Sequence, residues 1–400
     1  MRVLRVHDPF HRAQLAIAAL FCSLGFQYAT WASRIPAIKE DLDLTAAEVG
    51  VLLMAAGIGA AVSFPIVAAL MRRLGSQRLA LLSALCLALL LPALAAAPNY
   101  PVALLVMCVD GVLVGCLNVA MNAQGAELES RYERNAMARL HATFSGGSLL
   151  AALLASGMNT VTSTVAVHFG AAALLLLLLA ALARTGLLTD DQAAVQKEKT
   201  EGDKGAEKRE AEKKRGKWTV PSRMTLWMCV AMAFGTVTEG AMNDWSALYL
   251  EDVAEASAEL APLGIAVVSG MMVVARLFAD GWRSRWGDGR VVLFGSVLAG
   301  AGLALALLSG GLVPALLGFA CVGLGIAAVT PCVYVAAAGQ GSDSLTLVAA
   351  MGTTGLLAGP PLIGFIANAS SLVWGFAAVA ASALVVSACS TRIRWPATSG

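Results

Sequence analysis

Apolar positions run along this chain in long, nearly unbroken blocks, each closed by a short cluster of polar or basic residues. Windows of about 20 predominantly apolar residues are long enough to cross roughly 30 Å of hydrocarbon as a helix. Such windows fall at about 13–36, 48–71, 78–97, 101–127, 138–159, 164–187, 223–250, 260–281, 290–309, 313–338, 345–367 and 371–390. The pattern predicts twelve membrane-spanning helices, six on each side of a charged segment. Strand-like alternation is absent, and blocks such as Leu174 to Leu179 read as lipid-facing helix, which excludes a β-barrel. The expected fold is an all-α integral membrane protein.

Composition strengthens this reading. Charged residues are 14% of the 400, where a globular protein has roughly a quarter, and the apolar set reaches 58% without the 39 glycines. The charges are also clustered: Lys197 to Lys217 holds 15 of the 54, leaving 39 for the other 379 residues. The expected organisation is an N-terminal bundle over 1–188, a charged linker over 189–217 and a C-terminal bundle over 218–400. The linker has no apolar periodicity and reads as solvated chain, with docking of its basic end on anionic headgroups as the alternative. A net charge of +2 is too small for a nucleic-acid footprint. All eight cysteines lie inside apolar stretches with no CxxC and no zinc spacing, so they read as small membrane-core residues and no metal is expected. The arginines before the first apolar run resemble a secretory signal, but the run continues through Trp31 without a cleavage site and reads as the first span.

The basic residues test the helix count. Assigning loops alternately to the two sides puts 26 of the 28 Lys and Arg on the side of the N-terminus, with only Arg34 and Lys39 opposite. A wrong number of helices would scramble this asymmetry. It implies cytoplasmic termini, a cytoplasmic linker and a multi-pass protein of the plasma membrane, in a bacterium the inner membrane.

The halves also repeat. The start of predicted helix 4, Pro101 to Val109, matches that of helix 10, Pro314 to Val322, at a shift of 213; Gly75 matches Gly287 at 212, and Trp31 matches Trp245 at 214. Three nearly equal shifts argue for parallel repeats.

With these residues in view, the chain resembles the major facilitator superfamily of transporters. The turn from Arg276 through Asp280, Arg283, Arg285 and Gly287 to Arg290 is similar to that superfamily's signature between helices 8 and 9. An acid at a helix end beside arginines locks helices on one face, and a glycine permits the turn. The first-half copy, Ala68 to Arg78, is degenerate, with Arg72 where the acid belongs. Met121 to Glu127, His141 to Ser145 and Asp244 to Tyr249 resemble the branch related to fucose permease. That resemblance implies two six-helix bundles, a cavity enclosed by helices 1, 4, 7 and 10, and proton-driven uptake of sugar-like solutes. The fucose permease pattern has an acid where this chain has Asn118, and an amide cannot carry a proton, so either this chain is not a proton symporter or the proton rides elsewhere.

Ionisable residues at membrane depth are functional hypotheses by default. Glu239 lies about 24 Å beyond Arg223 along helix 7. Thr236 and Asn243 share its face, and burial of its carboxyl would suit a proton carrier. Asp110 lies about 14 Å into helix 4. Both are read as proton-coupling residues, with interhelical hydrogen bonding as the structural alternative. His141 reads as interfacial or structural.

Gln27, Trp31 and Arg34 share a face of helix 1, Asn118 and Asn122 a face of helix 4, Trp245 and Tyr249 a face of helix 7, and Tyr334 follows a Thr330-Pro331 break in helix 10. Amides and indoles on these helices suit a hydroxylated, uncharged solute, and packing or the aromatic belt is the alternative. The expected substrate set is Gln27, Trp31, Asn118, Asn122, Asn243, Trp245 and Tyr334; Arg276, Asp280 and Arg285 are the expected cytoplasmic gate. Gly355 to Gly364 in helix 11 resembles a glycine-proline motif that marks antiporters when in helix 5, where this chain lacks the proline.

The expected function is secondary active transport of a small sugar-like solute coupled to protons, by a monomer with the bilayer, the solute and protons as its partners and no cofactor. A proton-coupled exporter of drugs or metabolites is the alternative. A membrane-embedded enzyme finds no HExxH, acidic metal pair or Ser/His/Asp constellation, and no P-loop supplies ATP.

Overall fold

The computed structural model describes residues 8–134, 136–189 and 221–395, with the backbone alone at Ala138, Asp280 and Ser342. Of the charged linker, only Thr189 falls among the described residues. The first half holds α1 (Pro9–Ala32), α2 (Ile35–Asp41), α3 (Ala46–Ala95), α4 (Tyr100–Tyr132), α5 (Met137–Val161) and α6 (Val165–Arg184). The second half holds α7 (Arg223–Asp252), α8 (Leu263–Trp286), α9 (Asp288–Ser309), α10 (Leu312–Ile326), α11 (Val329–Ala338), α12 (Ser342–Ala369) and α13 (Leu372–Ser390).

These thirteen helices make twelve spans. α3, at 50 residues, is two spans joined at Gly75, and α10 with α11 forms one, broken at Ala327 and Ala328 just before Pro331. Nine segments among the described residues are long and apolar enough to cross a membrane, with α3 counted once. α7 is not among them, and α8 contributes the shorter apolar stretch Leu263–Ala279. The short α2, begun by Pro36 directly after the first span, has no counterpart in the hydropathy pattern.

Local chemistry starts the helices. Asp8 caps α1, accepting a hydrogen bond from the Phe10 amide at 2.9 Å. Thr45 and Glu48 form a reciprocal capping box on α3, with Thr45 N–H to Glu48 at 2.8 Å and Glu48 N–H to Thr45 at 3.2 Å. Asn99 caps α4 and Ser222 caps α7.

The repeat has a backbone counterpart. Gly75 (φ 74°, ψ 169°) and Gly287 (φ 81°, ψ 151°) occupy the same glycine-only conformation at equivalent turns, between the two spans of α3 and between α8 and α9.

One end of the molecule, holding Asp8, Gly75, Tyr132 and Gly287, carries most of the arginines; the other holds Arg34 and Lys39 with Glu40, Asp41, Asp43, Glu251, Asp252, Glu255 and Glu259. They are called here the basic and acidic ends. The halves touch mainly along two seams, α3 against α12 and α5 against α8, and also where α1 and α2 meet α7. At the acidic end Gly50 and Gly364 bring α3 and α12 so close that a Cβ on Gly364 would lie 2.7 Å from the Ala46 carbonyl. Lys39 Nζ meets Asp252 at 2.7 Å, and Ser156 and Asn159 of α5 donate to the Glu259 and Ala258 carbonyls. The acidic end is shut.

Candidate functional site

Two neighbours on α1 each hold a buried acid. Gln27 Nε2 donates to Asp110 of α4 at 2.6 Å, and the Tyr28 hydroxyl donates to Asp244 of α7. Asp110 and Asp244 are 4% and 5% exposed. Carboxyl groups this deep are costly unless hydrogen-bonded or neutral, and each has one described side-chain donor. The first bond lies within one half, since α1 and α4 are both first-half helices; the second joins the halves.

Nearer mid-membrane, Glu239 of α7 meets Arg276 of α8 at 3.4 Å, and both side chains are about a quarter exposed, at 26% and 27%. The same guanidinium donates to Ser145 of α5 in the first half. Arg276 thus ties three helices together, using the several donors of its planar fork. Asn243, one turn from Glu239, is partly exposed, whereas Thr236 donates to the Gly352 carbonyl at 3.0 Å and is buried against α12.

Asn118 and Asn122 pair on α4, with Asn122 Nδ2 donating to the Asn118 side-chain oxygen at 2.8 Å; Asn118 is exposed. Tyr334 on α11 is partly exposed. The repeat-related Trp31 and Trp245 are buried at 4% and 0%, and both indole N–H groups lack a partner among the described residues. Trp31 packs edge to face on Tyr28, with ring centres 5.0 Å apart. Of the expected gate, Arg276 sits about 15 Å along α8 from Trp286, in contact with Glu239. Arg285 is exposed at the basic end, and the Asp280 side chain lies outside the described residues.

Residues absent from the expected set now join it. Tyr28 and Asp244 carry a bond between halves, Ser145 receives Arg276, and Arg34 is buried at 3% with its Nε donating to His168 Nδ1 at 3.0 Å. Asp244 was visible as an acid in helix 7 and Tyr28 as a phenol beside Gln27. Their pairing needs the inter-helix register, which periodicity within one helix does not carry. His141 packs edge to face on Phe21 at 5.0 Å, in keeping with a structural role.

Helices crossing as two repeated sets enclose ionisable and amide groups between them, an arrangement suited to a membrane transporter. A family model described as Major Facilitator Superfamily matches residues 15–344. The chain belongs to the Major Facilitator Superfamily. It is 32% identical over 360 residues to the transporter y4wD of Sinorhizobium fredii, covering 89% of this chain and 91% of that one. It is 30% identical over 370 residues to the membrane protein MosC of Rhizobium meliloti, covering 89% and 84%. Among solved structures, a D-xylose-proton symporter superposes with a TM-score of 0.75 at 12% identity, over 98% of this chain and 99% of that one. The nucleoside transporter NupG gives 0.69 at 13%, over 96% and 98%. At these identities the structural likeness shows the fold.

Proposed function

We propose that this transporter carries a small, uncharged, sugar-like solute inward together with protons, by alternating exposure of a site between two six-helix bundles. The bundles are residues 1–188 and 218–400, joined by the linker at 189–217. The basic end is cytoplasmic and the protein works as a monomer in a bacterial inner membrane, a placement supported by the bias of 26 of 28 basic residues to one side.

The observation that carries the reading is the Glu239–Arg276–Ser145 group: an acid in the middle of α7, partly open, linked through one guanidinium to the opposite half. A carboxylate there changes both its charge and its hold on Arg276 when it takes a proton, which is what coupling requires. Asp110, fixed by Gln27, is the assisting acid. Asn118, Asn122 and Asn243, which retain exposure, offer amides to hydroxyl groups, while Gln27, Trp31, Trp245 and Tyr334 complete the solute set. Arg276 with Asp280 and Arg285 closes the cytoplasmic face when the acidic end opens. The fold is shared with a D-xylose-proton symporter.

Export of drugs or metabolites is the second reading, favoured by the Gly355 to Gly364 stretch. In the fold these glycines serve contact, Gly355 against Ala233 and Thr236 and Gly364 against Ala46 and Gly50, a role either direction of transport needs.

A thermal-shift screen of the purified protein against sugars, polyols, amino sugars and hydrophobic drugs separates the readings, because a ligand of the folded state raises apparent stability. Stabilisation by one sugar-like compound, lost in Asn118→Ala and Asn243→Ala, is expected. Stabilisation by hydrophobic cations alone would replace this reading with the exporter.

A further inference from the structure

The membrane-depth acids of this chain differ in where their partners lie. Asp110 is held by Gln27, and Glu239 by Arg276, each within its own half. Asp244 is held by Tyr28 of the other half. A bond within a half travels with it; a bond between halves must break when they part. Asp244 therefore changes surroundings with the transport cycle.

We propose that Asp244 is the proton-controlled element of the acidic-end gate: the gate closes over a protonated Asp244 seated against Tyr28, and an ionised Asp244 holds it open. The proposal rests on the proton-coupled, alternating-access reading above.

Asp244 lies about 12 Å from the acidic end of α7 and Tyr28 about 6 Å from that of α1, so parting the halves there exposes the carboxyl to water on that side. Closed, it is 5% exposed with a neutral phenol as its described side-chain partner. One neutral donor does not replace the hydration of a carboxylate, so the dry seat favours the neutral acid and the wet one the ion. The phenol also donates to the carbonyl oxygen of a protonated acid; a carboxylate would accept the stronger bond, but losing its hydration in the dry seat outweighs that gain. Among the described residues the surroundings add no compensating cation at contact distance: the groups acting on the Tyr28 hydroxyl are the carboxyls of Asp244 itself, of Asp110 on α4 and of Glu239 on α7. α8 contributes Arg276, which is engaged by Glu239 and Ser145. The membrane-crossing parts of α12 and α13 carry no charged side chain beyond Asp343 at the basic end, and Lys39 of α2 is paired with Asp252. Gate closure over Asp244 thus takes up one proton from the acidic-end solution; the proton passes on through Glu239, and without that acid it returns to the same side when the gate reopens.

Hydrogen exchange on the purified full-length protein tests this without a substrate. The readout is the exchange of residues 42–45 and 253–262 at the acidic end, corrected for intrinsic chemistry, between mildly alkaline and mildly acidic pH. The wild type is expected to gain protection there on acidification. Asp244→Asn is expected to be protected at every pH, with the step lost, while Glu239→Gln and Asp110→Asn keep it. Tyr28→Phe keeps the step but moves it to lower pH, because the closed state has lost a bond whichever form Asp244 takes; it decides the matter should Asp244→Asn not fold. A step that survives Asp244→Asn, disappears in Glu239→Gln, or stays unmoved in Tyr28→Phe overturns the proposal and leaves coupling standing. A wild type with no step overturns the proposal and counts against proton coupling itself.

Discussion

Glu239 and Arg276 meet between α7 and α8 with 3.4 Å separating carboxylate and guanidinium, while the other arm of Arg276 reaches across to Ser145. The pair is partly exposed, so its attraction is screened and its energetic coupling is expected to be about 1 kcal/mol. A double-mutant cycle with Glu239→Gln and Arg276→Gln, read by thermal unfolding in detergent, measures it. The single variants should each destabilise, and the double variant should cost less than their sum. Arg276→Gln should be the worse single change, because it also severs the link to the first half.

Much of this arrangement was legible in the sequence and part was not, for physical reasons. Crossing a bilayer demands about 20 apolar residues per helix, so the spans could be read directly; the break in helix 10 falls at Ala327 and Ala328, next to the expected Thr330-Pro331. The Gly75–Gly287 correspondence was visible as a shift of 212 and reappears as matching backbone angles. The site was less legible. Gln27 and Asp110 were each singled out, but nothing along the chain says that they touch. Trp245 shares a helical face with polar residues and yet is wholly enclosed, because the width of a face says nothing about which neighbour covers it. Arg34 lies near the membrane boundary in sequence but turns into a buried contact with His168.

The two turn glycines should be intolerant of side chains. At φ 74° and 81° with ψ beyond 150°, Gly75→Ala and Gly287→Ala force an L-residue into a region that costs about 1–3 kcal/mol. Gly146, in the middle of α5 with open space where a Cβ would sit, is the control. Gly146→Ala should be neutral or stabilising by up to about 1 kcal/mol, since alanine is the better helix former. Thermal unfolding of the three variants gives the ranking.

Closure at the acidic end depends on the contact between α3 and α12. A Cβ at Gly364 would lie 2.7 Å from the Ala46 carbonyl and 2.9 Å from the Gly50 Cα. Overpacking of this kind costs about 1–3 kcal/mol, here charged to the closed state alone. Gly364→Ala should therefore speed hydrogen exchange of residues 253–262 by about tenfold, 1.4 kcal/mol being a factor of ten. Unchanged exchange would mean that the seam relaxes without opening.

The start of α1 should respond to acid. The Phe10 amide bond, with help from His11 and Arg134, holds the Asp8 carboxyl below its ordinary value. A carboxyl lowered on folding contributes stability above its unfolded value and loses it as pH falls through the folded one. Exchange of the Phe10 and Arg12 amides, taken relative to the intrinsic rate at each pH, should rise on acidification through the carboxylate range, and Asp8→Ala should show the raised relative exchange at neutral pH already.

Solute-driven proton movement tests the central claim most directly. Proteoliposomes with a pH-sensitive dye inside receive the solute identified by thermal shift, without an imposed gradient. The account predicts that solute entry acidifies the lumen with wild-type protein, and that Glu239→Gln still exchanges solute but moves no protons. Solute uptake with no lumenal acidification, or acidification that persists in Glu239→Gln, would contradict it.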